Sequence, residues 1–95
     1  MKKITQNKAK EIAKAICGTA KGLQKDQFEG SYVIVIGNII IYFSYDSDYD
    51  AVRARLQFED HSITNFYNLD NLKMDYNATD RWEAFLRQEQ KNKCY

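Results

Sequence analysis

Residues 31–60 read SYVIVIGNIIIYFSYDSDYDAVRARLQFED, and this stretch decides the fold. Two runs rich in β-branched and aromatic residues, 31–36 and 39–45, are joined by Gly37-Asn38, a pair suited to the positive φ angles of a two-residue hairpin turn. Both faces of these runs are apolar: Tyr32, Ile34 and Ile36 alternate with Val33 and Val35, then Ile39, Ile41 and Phe43 with Ile40 and Tyr42. Such strands sit centrally in a sheet or are covered on both sides. The third run, 51–59, alternates strictly, with Val52, Ala54, Leu56 and Phe58 facing in and Arg53, Arg55, Gln57 and Glu59 facing out, which predicts a half-exposed strand.

Working outward, a turn at Asp60-His61 leads to SITNFYNL, where a fourth strand over 62–67 is less plainly written because of its asparagines. On the N-terminal side, Thr5 is placed to cap a helix over about 5–23. Its apolar residues Ala9, Ile12, Ala13, Ile16, Ala20 and Leu23 keep helical spacing, and Gly18 ends or bends it. Near the C-terminus, Asp80 with Glu83 reads as a capping box for a helix over about 80–91 that sets Trp82, Phe85 and Leu86 on one face, Trp82 and Phe85 as core residues fastening it to the sheet. The expected fold is α+β, one domain over 1–95: helix, a meander of three or four antiparallel strands, helix, with both helices on one side of the sheet.

With 95 residues, 44% of them hydrophobic and 28% charged, the chain has material for one core and not two. Its longest apolar runs fall well short of the ~18 residues of a membrane span, and no signal-peptide core follows the first lysines, which points to a cytoplasmic protein with no membrane partner. Cys17 and Cys94 read as free thiols in such a compartment. With one histidine and no CxxC pair, no metal site and no cofactor is expected.

Charge is unevenly spread: residues 1–25 carry net +6, residues 26–80 net −7 and residues 81–95 net +2, together the stated +1. Two features follow. Lys3, Lys10, Lys14, Lys21 and Lys25 fall within about 60° of one another at 100° per residue on a continuous helix, a stripe able to track phosphates. The loop YDSDYD sets Asp46, Asp48 and Asp50 between Tyr45 and Tyr49. Its D-x-D-x-D opening matches a calcium loop until the sixth position, where Ala51 replaces glycine, and the twelfth, where Gln57 replaces the bidentate acid. A solvated turn is the plainest reading. As a contact surface, tyrosines and carboxylates, joined by Glu59, Asp60, Asp70 and Asp75 if these share one end of the fold, would suit a basic groove in a nucleic-acid-binding protein.

No catalytic residue is marked: His61 follows Asp60 in a turn, and no serine or cysteine has a nucleophile's context. In size, lysine-rich start, helix–sheet–helix order and acid–tyrosine loop, the chain resembles small accessory proteins of bacteriophages and mobile elements, including anti-CRISPR inhibitors of Cas nucleases. The resemblance implies a non-enzymatic inhibitor or adaptor that binds a host protein, a nucleic-acid-binding effector, through Tyr45, Asp46, Asp48, Tyr49, Asp50, Glu59, Asp60, Asp70 and Asp75. The alternative is direct nucleic-acid binding through the lysine stripe. The two apolar faces of the hairpin add a homodimer, should one face lack a covering helix.

Overall fold

The structure is a computed structural model that describes residues 4–93, with side chains for residues 4–90. Lys3 and Cys94 lie outside the described residues.

The first helix, α1 (Gln6–Cys17), begins where the Thr5 hydroxyl accepts the Lys8 N–H at 3.2 Å. It buries Ala9, Ile12 and Ala13 completely. It stops at Gly18, whose φ of +80° lets its N–H close on the Lys14 carbonyl at 3.1 Å. The expectation of a helix to residue 23 is thus shortened: Ala20 and Leu23 still pack on the core, but from the turn that follows. That turn delivers a strand with no periodicity to announce it, β1 (Gln24–Lys25), paired with the start of β2 (Tyr32–Ile36).

β2 and β3 (Ile39–Asp46) form the expected hairpin, closed by the pair Ile36 and Ile39. Only Gly37, at φ +59°, takes the left-handed region, so the turn is of the II′ kind that needs glycine at its first position. β4 (Ala51–Gln57) and β5 (Ser62–Tyr67) complete a five-stranded antiparallel meander in the order β1-β2-β3-β4-β5. The fourth predicted strand is therefore real, and the sheet has one more strand than the sequence shows.

Register places the core. Tyr32 faces Phe43, Ile34 faces Ile41, Phe43 faces Ala54 and Val52 faces Tyr67, so these share one face, and α1 packs there. Tyr32 adds a buried hydrogen bond, its hydroxyl donating to the Ile4 carbonyl at 3.0 Å.

The second helix, α2 (Tyr76–Lys93), lies on the other face, where Ala78 and Trp82 meet Ala51, Phe66 and Tyr49. Phe66 pairs with Arg53, one residue out of phase with the α1 face, so the helices flank the sheet and do not share a side. The cause is the start of α2. Asp75, not Asp80, caps it: the Asp75 carboxylate accepts the Ala78 N–H at 3.1 Å, while its own N–H donates to the Phe66 carbonyl at 2.7 Å. One turn on, the Thr79 hydroxyl accepts the Phe66 N–H at 3.0 Å. The open edge of β5 thus holds the first turn of α2, and the predicted capping box lies inside the helix.

Candidate functional site

The acid–tyrosine loop is largely occupied with itself. Asp46 accepts the N–H groups of Asp48 at 2.9 Å and Tyr49 at 3.2 Å, and its other oxygen lies 3.6 Å from Arg53. Asp50, at φ +48°, accepts the Tyr45 hydroxyl at 2.5 Å, a bond that raises the phenol's pKa above its ordinary value. Tyr49 packs on Phe66 with centroids 4.5 Å apart, under the Arg81 guanidinium. Asp48 is the exposed carboxylate that the loop does not use to build the turn.

The other acids do not gather round it. Asp70 and Asp75 follow β5 and stand at the same end, Asp75 as the α2 cap. Glu59 and Asp60 sit in the opposite hairpin, a strand's length away, about 20 Å for β4. Asp60 bonds the His61 ring at 2.6 Å, and that bond holds its carboxyl below the usual range. The single acidic surface proposed from the sequence is split between two ends. The lysine stripe changes too: Lys10 and Lys14 are exposed on α1, but Lys21 lies in a turn and Lys25 in β1, because Gly18 ends the helical phase that aligned them. Among the described residues no group of His, Cys, Asp and Glu is arranged to hold a metal ion, and no helix is long and apolar enough to cross a membrane.

What the sequence underrates is the face of β2–β4 away from α1. By register its rows are Val35, Ile40, Gln57 and Ser62; then Val33, Tyr42, Arg55 and Thr64; then Ser44, Arg53 and Phe66. α2 covers the third row at its Phe66 end, with Arg53 stacked over the Trp82 ring at 4.3 Å, and leaves the first two rows bare. Val35 is 59% exposed and Phe28, in the loop between β1 and β2, is 66% exposed at its border. The core role expected for the last helix holds for Trp82 alone; Phe85 and Leu86 remain exposed.

Two hollows mark this face. One, of about 610 Å³, lies between Phe28, Ser31, Tyr42, Ser44, Arg53 and Arg55. The other, of about 440 Å³, lies along Asn38, Ile40, Gln57, Phe58 and Glu59. The Arg55 guanidinium lies over the ring of its cross-strand partner Tyr42, 4.7 Å from the centroid, and has no carboxylate within ion-pair distance among the described residues. Arg53 is held by Asp46 and Trp82. The strip is thus apolar at one corner and cationic at the other. The signal in the sequence was the two-sided apolar hairpin; Phe28 has no periodic neighbours to mark it.

No known family model, curated protein or solved structure matches this chain.

Proposed function

We propose that the protein is a non-enzymatic binding module that works by contact with another protein through the bare face of its sheet. The observation that carries this is the exposure of Val35 beside Val33, Ile40 and Tyr42, apolar residues on a rigid scaffold that no helix of the described chain covers. Val35 is exposed and Val33, Ile40 and Tyr42 are half-buried, so a partner that covered them would gain part of the ~1.5–3 kcal/mol that full burial of an aliphatic side chain is worth. The narrower form of the reading is an inhibitor of a nucleic-acid-handling host defence protein, such as a Cas nuclease. It rests on the resemblance in size, order and charge, with Asp48, Asp50 and Asp70 among the exposed acids of one end.

The test is capture of partners from nuclease-treated bacterial lysate on the immobilised protein, beside its Val35→Asp and Asp48→Asn variants. A specific protein lost with Val35→Asp and kept with Asp48→Asn supports the sheet face. Retention that ignores Val35→Asp removes it, and loss with Asp48→Asn returns the contact to the acidic end.

A further inference from the structure

We infer that the bare face is a groove for an extended acidic segment of the partner, seated along β3 and β4 with a carboxylate on Arg55 and apolar side chains toward Ile40. This rests on the reading of that face as a protein-contact surface and names the chemistry of what it takes.

The path follows from the register. Along β3 the upward residues are Ser44, Tyr42 and Ile40, ending at Asn38 in the turn, and beside them on β4 run Arg53, Arg55 and Gln57. The two hollows lie at the two ends of this line. From Ser44 to Asn38 is six residue steps, about 20 Å, which a segment of six extended residues spans. Alternate side chains of such a segment point down, so three of its residues read the groove. Arg55, over the Tyr42 ring and lining the hollow with Ser44 and Arg53, takes an anion, and the middle takes an apolar group against Val33 and Ile40. The far end, flanked by Ile40 and Phe58 but bordered by Glu59, rejects an acid and accepts a second apolar group.

Charge selects the segment's sign. Arg55 is planar, presented on the Tyr42 ring and without a carboxylate partner among the described residues, the arrangement that offers two parallel N–H groups to a carboxylate. Asp26 also borders the hollow, one of its oxygens accepting the Gln27 N–H, so the lining sets two guanidinium groups against one carboxylate.

Area argues against a second copy of this chain as the occupant. Four strands at about 4.8 Å by about 20 Å give about 400 Å², half the ~800 Å² per partner of a stable complex between folded surfaces. A short extended segment needs no more than the groove supplies.

The probe is an acetylated, amidated hexapeptide, ETVTVT, titrated at up to millimolar concentration into the labelled protein while backbone amide shifts are followed, beside KTVTVT and a dodecamer of thymidylate. The expected result is a footprint on Tyr42, Ser44, Arg53 and Arg55 for the acidic peptide, with affinity at least tenfold weaker for the lysine peptide and about tenfold weaker for Arg55→Gln. Equal binding of both peptides, a footprint elsewhere, no binding, tighter binding of the oligonucleotide to these amides, or shifts at this face that depend on protein concentration alone overturns the inference. Should Val35→Asp abolish capture of a protein partner while the peptides show no preference, the contact surface stands and only the acidic segment falls.

Discussion

Replacing Thr79 with valine keeps the shape of the side chain and removes one hydroxyl. That hydroxyl is 6% exposed with its residue and accepts the N–H of Phe66 on the outer edge of β5. With valine the N–H is left buried against a methyl group, at a cost of about 1–3 kcal/mol. For a domain of this size a loss of about 2 kcal/mol lowers Tm by roughly 8–16 °C. Serine at the same position keeps the acceptor and loses a methyl group, worth about 1 kcal/mol. Thermal unfolding of the three proteins, with hydrogen exchange at the Phe66 amide, is the assay. The expected order is threonine, serine, valine, with Phe66 protected in the first two and opened in the third. A valine protein as stable as the parent, or a Phe66 amide equally protected in all three, would refute the argument that this bond fastens α2 to the sheet.

Other outcomes follow from single positions. Gly18→Ala costs about 1 kcal/mol although a Cβ there meets nothing within 4 Å, since the whole penalty comes from φ +80°; denaturant unfolding reads it, and no loss would mean that the αL cap is not what ends α1. Phe85→Ser costs about 1 kcal/mol, because the ring is 50% exposed and stacks on Trp82 with its other half, whereas Trp82→Ser, between Phe66 and Arg53, costs several times more in the same experiment. Burial pushes the Cys17 thiol up, so in a Cys94→Ser chain alkylation by iodoacetamide rises with pH around a midpoint above that of an unfolded peptide thiol. The sign is that of a raised pKa: the contribution to stability is complete below the unfolded thiol's pKa and disappears as pH rises through the folded one.

The parts of the fold that were legible are those in which local pattern and tertiary demand agree. The Gly37-Asn38 turn, the strict alternation from Val52 to Glu59 and the Thr5 cap each carry their signal in a few neighbouring residues. The rest depends on contacts distant in sequence. Asp80 and Glu83 make a sound capping box on paper, but Asp75 wins because Phe66 accepts its N–H and thereby tethers it to β5. β1 is two polar residues that become a strand only beside Tyr32 and Val33. The acids could be counted in sequence, yet which end of the sheet each occupies is a matter of hairpin order. Glu59 and Asp60 follow one strand after the YDSDYD loop, and one strand is enough to carry them to the far end.

The bare face is written into the helix that fails to cover it. At 1.5 Å per residue, the 18 residues of α2 reach about 27 Å, more than the roughly 24 Å across five strands, so length is not what leaves β2 and β3 exposed. Composition is. The apolar residues of α2 end at Leu86, and the helix continues as Arg87, Gln88, Glu89 and Gln90, all exposed, with nothing to lay on Val33, Val35 or Ile40. A chain selected only to close its own core would carry its apolar helical residues over its apolar strand residues. Here the valines and isoleucines lie at one side of the sheet, the helix's tryptophan at the other, and Arg55 on Tyr42 marks the boundary between them. Among the described residues nothing of α2 covers that part of the sheet, and this mismatch between helix and sheet is the observation on which the proposed contact surface rests.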